Sequence, residues 1–165
     1  MTPDTTATTI RFAAAADVAW IAELSRDRIE GGLGWSWTRP RVLRCLQQPE
    51  SNVVVGVRGS ERAGFGIMTY GDTEAHLLLL AVQPRHVRRG VGAALVAWLE
   101  RPAVVAGIER VSLEARQDNP GARAFYRRLG YAEIEVLPGY YSGREACVRL
   151  AKQLGGCGNS AAAAP

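Results

Sequence analysis

The sequence predicts a mixed α/β fold in which helices cover both faces of one sheet. Strand-like and helix-like segments follow one another in the order strand, two helices, three strands, helix, strand, helix and two strands, which is typical of a layered α/β domain. An almost entirely apolar run at 75–82 predicts a strand in the centre of the sheet, covered on both faces. No internal repeat appears, and 165 residues are enough for one core without a disulfide or a metal ion to hold it.

The first half of the chain predicts a strand, two helices and a β-hairpin. Val18, Ile21 and Leu24 recur at helical spacing, and the glycine-rich segment after them ends the first helix. Pro49 stops the second helix. β-branched and aromatic residues fill the two runs that follow, and Gly59 marks the turn between them. The predicted ranges are 8–12 for the strand, 14–30 and 39–48 for the helices, and 52–58 and 62–70 for the hairpin.

The second half predicts the central strand, two further helices and three more strands. Asn119 or Asp118 serves as the N-cap of the last helix, Pro120 occupies its first position, and Gly130 ends it. The predicted ranges are 75–82 for the central strand, 88 to about 103 for the longer helix, 109–116 for the next strand, and 132–137 and 144–150 for the final pair.

A basic, glycine-punctuated turn joins the central strand to the longer helix. Gly90 and Gly92 lack the Cβ atoms that would block a ligand, so N–H groups of the turn and of the first helical turn can converge on phosphate oxygens. Arg85, Arg88 and Arg89 add positive charge beside the helix N-terminus. The turn therefore predicts a pyrophosphate-binding loop, although a merely solvated helix start would have the same residues.

Two better-known phosphate loops do not match this turn. A P-loop requires a Lys-Ser/Thr pair after its last glycine, where this chain has Ala93 and Ala94. A dinucleotide fingerprint requires a third small residue where this chain has Leu95, and a tighter turn than residues 83–89 provide. Both of these nucleotide-binding classes are excluded.

A second motif occupies the strand at 109–116 and the helix after it. It reads Leu-Glu-x-Arg-x-x-Asn-x-x-Ala-x-x-x-Tyr-x-x-x-Gly-Tyr and starts at Leu113. Together with Val87-Arg88-Arg89-Gly90-Val91-Gly92 it resembles the GNAT family of N-acetyltransferases, and within that family the RimI-type branch that acetylates protein N-termini. The family pattern at the first motif is Gln/Arg-x-x-Gly-x-Gly/Ala, and Val87 departs from it because valine has no side-chain donor. The resemblance extends over roughly residues 10–150.

The resemblance implies a mostly antiparallel sheet of about seven strands with helices on both faces, and acetyl-coenzyme A as co-substrate without a metal ion. The pantetheine arm would pair with the end of the fourth strand, where the backbone N–H of Val82 could polarise the thioester carbonyl. The residues implied in cofactor binding are Leu80, Ala81, Val82, Val87, Arg88, Arg89, Gly90, Val91, Gly92, Ala93, Asn119 and Tyr126.

The resemblance also implies the catalytic groups. Tyr126 would donate a proton to the departing coenzyme A thiolate, since a phenol stays protonated at neutral pH; a packing role beside Phe125 is the alternative. Glu114 would be the general base for the amine, and an ion pair with Arg116 on the same strand face is the alternative. Glu74 and His76, at the start of the fourth strand, are rival bases. Reasoning from the residues leaves these alternatives open.

Two aromatic loops predict the acceptor side of the site. Trp35 and Trp37 lie between the first two helices, and Tyr140 and Tyr141 lie between the last two strands. The tyrosine pair resembles the tyrosines with which N-terminal acetyltransferases grip a peptide backbone, because tyrosine offers flat apolar area and one hydroxyl. Local packing or a dimer contact are the alternatives for the tryptophans.

The function that these observations favour is direct acetyl transfer to a primary amine in a ternary complex. A protein or peptide N-terminal amine is the expected acceptor. A small-molecule amine and a non-catalytic acyl-coenzyme A sensor are the alternatives. Arginines concentrated in one turn and two helices, with few lysines, argue against nucleic acid as a partner.

Composition bears on the charge of the protein, on its cysteines and on where in the cell it is expected. The formal net charge of +4 is an ordinary solubility device. Cys45, Cys147 and Cys157 are an odd number without paired spacing, which argues against a disulfide framework or a zinc site. No apolar run approaches a membrane span, and the first residues do not look like a secretory signal. We therefore expect a cytoplasmic monomer or homodimer with one domain at 8–153 between disordered ends at 1–7 and 154–165.

Overall fold

The computed structural model describes residues 7–32, 34–141 and 145–155, with the side chains of 140, 141 and 145 left out. Within them the chain forms seven strands and four α-helices. Their bounds are β1 Thr8–Phe12, α1 Val18–Arg28, α2 Arg39–Gln47, β2 Ser51–Arg58, β3 Glu61–Tyr70, β4 Glu74–Val82, α3 Val91–Val105, β5 Arg110–Arg116, α4 Pro120–Arg128, β6 Ala132–Tyr141 and β7 Glu145–Gln153.

The strands form one sheet in the order β1-β2-β3-β4-β5-β7-β6. The β1–β2, β2–β3, β5–β7 and β6–β7 pairs are antiparallel, whereas β4 and β5 run parallel. A parallel pair requires a crossover connection, and α3 is that connection. The predicted mixed, mostly antiparallel sheet of seven strands is confirmed.

The chain divides into two compact units. The first unit comprises the residues up to Thr69 together with Leu78–Leu99, and the second comprises Tyr70–Leu77 together with the residues from Glu100 onward. β4 and α3 each contribute to both units. The phosphate-loop residues belong to the first unit, and Glu114 and Tyr126 belong to the second.

In the first unit, helices cover both faces of β2 and β3. α1 and α2 pack on one face through apolar side chains that include Ile21, Val42 and Phe65. On the opposite face, a Cβ atom added at Gly64 would meet the carbonyl oxygen of Ala81 at 2.7 Å, and one added at Gly66 would meet Leu99 Cδ1 at 2.8 Å. Glycine is required at these two positions because α3 and β4 approach the β3 backbone so closely.

In the second unit, strand alternation separates an apolar face from a polar face. Val111, Leu113 and Leu150 are buried on the apolar face. Side chains on the other face include Ser112, Glu114 and Arg149. This polar face carries the acid–base groups described below.

The cap of α4 forms as the sequence predicts. Oδ1 of Asn119 accepts a hydrogen bond from the backbone N–H of Ala122 at 3.1 Å, and Pro120 is the first helical residue. Gly130 follows the helix with φ of +96°, a left-handed conformation that glycine adopts without strain. Arg123 then pairs with Glu133 of β6 at 2.8 Å and ties the helix to that strand.

Several predicted boundaries were wrong. α1 begins at Val18, after a 3₁₀ turn at Ala15–Asp17, because the Asp17 carboxylate accepts a hydrogen bond from the Ala14 N–H at 2.8 Å and organises a separate turn. α3 begins at Val91 instead of residue 88, because Arg88 has φ of +61° and cannot be helical.

Three strands also differ from the predictions, β4 in how far its two faces are buried, and β6 and β7 in length. β4 is not evenly covered on both faces: its buried residues alternate with half-buried ones, so one face is more accessible than the apolar run suggested. β6 and β7 extend beyond their predicted ends.

The predicted disordered ends and Cys157 lie almost wholly outside the described residues. No helix among the described residues is both long and apolar enough to cross a membrane.

Candidate active site

The predicted phosphate loop is an exposed turn with an anchored beginning. The backbone N–H of Gln83 donates to the carbonyl of Ala63 at 2.8 Å, and Nε2 of the buried His86 lies 2.9 Å from a carboxylate oxygen of Glu61. Both partners, Ala63 and Glu61, lie at the start of β3. The loop is therefore fixed at one end by β3 and at the other by α3, while residues 87–90 are exposed between them.

The backbone of this turn suits an anion. Arg88 and Gly90 have positive φ angles of 61° and 79°, and such alternation of backbone conformation turns successive N–H groups toward one side. The first turn of α3 adds N–H groups that have no acceptor within a helix. A Cβ atom added at Gly90 would meet nothing within 4 Å, so the space above the turn is open and only the φ angle requires glycine there. Diphosphate binding by this loop stays a prediction.

The end of β4 presents the other residues implied in cofactor binding. Ala81 is buried, whereas Leu80 and Val82 are half-buried. The parallel ladder between β4 and β5 comprises only three residue pairs and ends at the His76–Ser112 pair, well before β4 itself ends at Val82. The strand therefore continues beyond its pairing with β5.

Glu114 lies at the centre of a charged cluster in the second unit, which we call the Glu114 cluster: Glu114, His76, Arg149 and Glu135. Oε2 of Glu114 lies 2.6 Å from Nε2 of His76, and Oε1 accepts hydrogen bonds from Arg149 at 3.2 Å. Arg149 also pairs with Glu135 at 3.1 Å. The side chain of Glu114 is only 9% exposed, so these partners replace most of its hydration.

The electrostatics of the cluster favour ionised Glu114. Burial raises the pKa of this carboxyl, but the hydrogen bonds and charges of His76 and Arg149 outweigh burial, and the net pKa is lowered. Glu74 has a lowered pKa as well, because Ser112 and Arg110 donate hydrogen bonds to it. Both carboxyl groups are therefore ionised at neutral pH.

Tyr126 is buried in an aromatic group on α4 and the segment after it. Its ring packs edge-on against Phe125 at a centroid distance of 5.0 Å and against Tyr131 at 5.8 Å. The Tyr131 hydroxyl donates to Glu100 at 2.9 Å, and burial together with the Glu100 charge raises the pKa of Tyr131. Packing is therefore part of the role of Tyr126, and its proposed chemistry stays a prediction.

The two tryptophans between α1 and α2 have different environments. Trp37 is buried in the core of the first unit, with the Arg41 guanidinium 3.9 Å from its ring centroid. Trp35 is 41% exposed, and its indole N–H donates to the carbonyl of Trp37 at 3.0 Å. The buried carboxylate of Glu30 accepts a hydrogen bond from the Ser36 N–H at 2.8 Å and holds the segment in place.

The packing alternative describes Trp37 well, whereas Trp35 keeps an accessible surface. The second aromatic pair, Tyr140 and Tyr141, lies at the end of β6, and both side chains fall outside the described part of the chain.

The structure brings together residues that sequence reasoning had kept apart. Glu114 and His76 were treated as rival bases, yet they form one hydrogen-bonded pair. Glu114 has His76 and Arg149 as partners, and the pairing with Arg116 that the sequence suggested stays a prediction. Arg149 was missed because the β5–β7 register that places it opposite Glu114 is a long-range feature. The only signal was that an arginine alternates with apolar residues in the last strand.

The described residues offer no metal site and no accessible thiol. No group of three or more histidine, cysteine, aspartate or glutamate side chains among them is arranged to hold a metal ion. Cys45 and Cys147 are free and buried, and burial raises the pKa of both thiols. Neither thiol is suited to act as a nucleophile.

Known sequences match this chain over much of its length. A sequence profile of the acetyltransferase (GNAT) family matches residues 18–131. The N-alpha-acetyltransferase RimI of Mycobacterium tuberculosis is 33% identical over 86% of this chain and 89% of that protein. The [ribosomal protein bS18]-alanine N-acetyltransferase of Escherichia coli is 33% identical over 57% of this chain. The match spans 66% of that enzyme and 56% of another curated relative, so these matches cover less than two thirds of each relative.

Solved structures agree with the sequence matches. The crystal structure of Ard1 from Thermoplasma volcanium superposes with a TM-score of 0.81 at 28% identity, covering 91% of this chain and 99% of that chain. The fold is thus shared with a protein of known structure. On the profile match and the Mycobacterium tuberculosis relative together, the chain belongs to the acetyltransferase (GNAT) family.

Proposed function

We propose that this protein is an acetyl-coenzyme A-dependent N-acetyltransferase whose acceptor is the α-amine of a protein or peptide N-terminus. The observation that carries the proposal is the buried, ionised carboxylate of Glu114, hydrogen-bonded to His76 on the polar face of the second unit. The resemblance to N-alpha-acetyltransferases from Mycobacterium tuberculosis and Escherichia coli supports the choice of acceptor. Cytoplasmic location remains a prediction from the sequence.

The loop before α3 would hold the diphosphate of the co-substrate. Backbone N–H groups from Val87 to Ala93 would bind its oxygens, and Arg88 and Arg89 would add charge. The pantetheine arm would pair with β4 beyond the end of its ladder with β5, at Leu80, Ala81 and Val82. When bound, the co-substrate supplies an acetyl group activated as a thioester.

The side chains of the second unit would supply the proton transfers. Glu114 would take the proton that the amine loses, directly or through a water, as the nitrogen forms its bond to the acetyl carbon. Tyr126 would donate its phenolic proton to the sulfur as the carbon–sulfur bond breaks. The backbone N–H of Val82 would stabilise the oxyanion between these steps. Asn119, whose Oδ1 is engaged as the α4 cap, would contact the co-substrate through its amide N–H groups.

The lowered pKa of Glu114 is compatible with this task. An α-amine has a pKa of about 8, so part of it is already neutral near pH 7. The proton that it loses as it attacks the acetyl carbon is acidic enough for a weak base such as an ionised carboxylate to accept it. The buried thiols of Cys45 and Cys147 favour direct transfer over an acetyl-enzyme.

A peptide and amine panel tests the proposal. Purified protein is incubated with acetyl-coenzyme A and peptides that differ in their first residue, matched peptides with a blocked N-terminus, and small-molecule amines. Release of free thiol measures turnover, and mass spectrometry locates the acetyl group. We expect acetylation of free N-termini and none of the blocked peptides, including their lysine side chains. Transfer to small amines alone, or coenzyme A binding without any transfer, would contradict the proposal.

A further inference from the structure

Hydrogen bonds extend from the His76–Glu114 pair to Ser112 and Glu74, two residues to which the transfer steps above assign no role. Ser112 lies opposite His76 in the β4–β5 register, and its side chain is buried. Its hydroxyl donates to a carboxylate oxygen of Glu74 and lies 3.3 Å from Nδ1 of His76. Arg110 donates to the other oxygen of Glu74 at 2.8 Å. A continuous chain of hydrogen bonds thus runs from Glu74 through Ser112 and His76 to Glu114.

The direction of this chain fixes a proton on Nδ1 of His76. Glu74 is ionised, since Ser112 and Arg110 lower its pKa, and an ionised carboxylate only accepts hydrogen bonds. The single hydroxyl proton of Ser112 therefore points at Glu74. The hydroxyl oxygen can then only accept from the imidazole, so Nδ1 must carry a proton.

The other side of the ring must hold a second proton in this geometry. Nε2 of His76 lies 2.6 Å from Oε2 of Glu114, and two acceptor atoms do not approach so closely without a proton between them. One proton is therefore shared between Nε2 of His76 and Oε2 of Glu114 in this geometry.

We propose that Ser112 and Glu74 are positioning residues for acetyl transfer: they keep a proton on Nδ1 of His76, so that Nε2 is the nitrogen that shares with Glu114 the proton taken from the amine. The inference rests on the proposed function. The N–H bond of the amine breaks, its electron pair stays on nitrogen, and its proton passes to the His76–Glu114 pair. His76 is one-third exposed and then releases that proton to solvent, which restores a lone pair on Nε2.

The His76–Glu114 pair lies within a set of neighbouring charges. Glu74 on β4, Arg110 on β5, Arg149 and Cys147 on β7, and Glu135 on β6 line the same face of these strands. Only the form without the shared proton can accept one from the amine. The rate should therefore rise with pH as the shared proton is lost.

The first test measures the tautomer of His76 without any turnover. Imidazole ¹⁵N chemical shifts separate a protonated from an unprotonated ring nitrogen, and the chain has only two histidines, so a His76→Gln variant assigns the signals. Where the pair has lost its shared proton, we expect Nδ1 protonated and Nε2 unprotonated in the unmodified protein. In Ser112→Ala the Nδ1–H loses its acceptor, and we expect the proton to move to Nε2, where it donates to Glu114.

The second test measures the consequence for transfer. We expect Ser112→Ala to lower kcat roughly tenfold and to shift the rising pH limb to lower pH, because the protonated pair loses one hydrogen bond that stabilises it. KM for acetyl-coenzyme A should stay unchanged. Ser112→Thr keeps the hydroxyl and should restore both rate and pH profile. Glu74→Gln, which still accepts from Ser112 but carries no charge, should give a smaller change in the same direction.

Ser25→Ala is the matched control, because it removes another buried serine hydroxyl, which has no hydrogen-bond partner. It should change neither the tautomer nor the pH profile. Neutral His76 with its proton on Nε2 in the unmodified protein would overturn the proposal, as would a Ser112→Ala protein with unchanged tautomer, rate and pH limb. If the tautomer behaves as expected but no amine is acetylated, the role of Ser112 in setting the tautomer is supported and the proposed function alone fails.

Discussion

The loop before α3 and the Glu114 cluster are built in opposite ways. The loop consists of neighbours in sequence, and its long-range anchors are the contacts of Gln83 and His86 with β3. The cluster joins Glu114, His76 and Arg149 from three different strands, and its closest contact links residues 38 positions apart. One region owes its form to local backbone conformation, and the other owes it to strand register.

This difference predicts a division of labour. The loop presents backbone N–H groups and arginine charges and takes no part in the proposed proton transfers, so changes there should alter affinity for coenzyme A without moving a pH profile. The acid–base region, which includes Tyr126, presents groups that hold or donate protons, so changes there should alter the rate of transfer and its pH dependence. A loop variant that moves the pH profile, or a cluster variant that weakens coenzyme A binding, would contradict this division.

The largest effect is expected for Tyr126→Phe. The change removes the phenolic proton and keeps the ring that packs on Phe125 and Tyr131. We expect kcat to fall by roughly 10² to 10⁴, with little change in the dissociation constant of coenzyme A, since general acid catalysis contributes about this much. Steady-state kinetics and calorimetry measure the two quantities.

Tyr131→Phe is the control for aromatic packing and for loss of a buried hydroxyl. It removes the hydrogen bond to Glu100 and should lower stability by about 1 kcal/mol while leaving kcat near its original value. An unchanged kcat in Tyr126→Phe would assign Tyr126 to packing alone.

The next largest effect belongs to the loop. Gly90→Val places a β-branched residue at φ of +79°, which valine adopts only with strain. The turn should rearrange and the dissociation constant for coenzyme A should rise at least tenfold, an order of magnitude that matches about 1–3 kcal/mol of backbone strain. Calorimetry on the folded variant measures it.

Gly107→Val is a matched control for Gly90→Val. Gly107 has φ of +77°, and a Cβ atom there also meets nothing within 4 Å. It should cost similar stability and leave coenzyme A affinity intact. Equal loss of affinity in both variants would mean that general destabilisation, and not the loop, is responsible.

The sequence predicted the loop better than the cluster, and the reason is physical. Gly90, Arg88 and Arg89 act through local conformation and charge, both of which can be inferred from a short segment. Even so, the segment alone did not show that Arg88 takes a positive φ and delays the start of α3 to Val91. The tertiary anchors at Gln83 and His86 impose that conformation, and they involve β3.

The cluster could be predicted only in part. Strand parity placed Glu114 on the polar face, and the resemblance to a known family singled it out. Its contacts with His76 and Arg149 depend on the parallel β4–β5 register and the antiparallel β5–β7 register, which apolar patterning does not specify to the residue. For the same reason β4 was predicted to be covered on both faces, although its residues alternate between buried and half-buried.

A smaller effect, confined to pH dependence, is expected for Arg149→Met. Arg149 helps to lower the pKa of Glu114, whereas burial raises it. Removing Arg149 takes away part of the lowering effect, so the pKa of Glu114 rises. The base form then needs a higher pH, and the rising limb of the rate profile should move upward by up to about one pH unit. Coenzyme A affinity should not change.

Arg123→Met is the control for Arg149→Met, because Arg123 pairs with a glutamate on β6 that is not part of the cluster. Its pH profile should match that of the unmodified protein. A limb that moves downward in Arg149→Met, or moves equally in both variants, would contradict the account of the cluster given above.

The smallest effect is expected when charge alone is removed from the loop. Arg88→Gln and Arg89→Gln leave the backbone N–H groups in place, so each should weaken coenzyme A binding only about three- to tenfold at low salt, consistent with one lost charge-assisted contact. The difference should shrink as ionic strength rises, because the Debye length falls from about 10 Å at 0.1 M to about 3 Å at 1 M. Arg44→Gln, on the exposed side of α2, is the control and should change affinity at neither salt concentration. A loss of affinity that is independent of salt would mean that the arginines act through loop conformation. The pH profile of transfer should be the same in all of these variants as in the unmodified protein, because the loop takes no part in the proposed proton transfers.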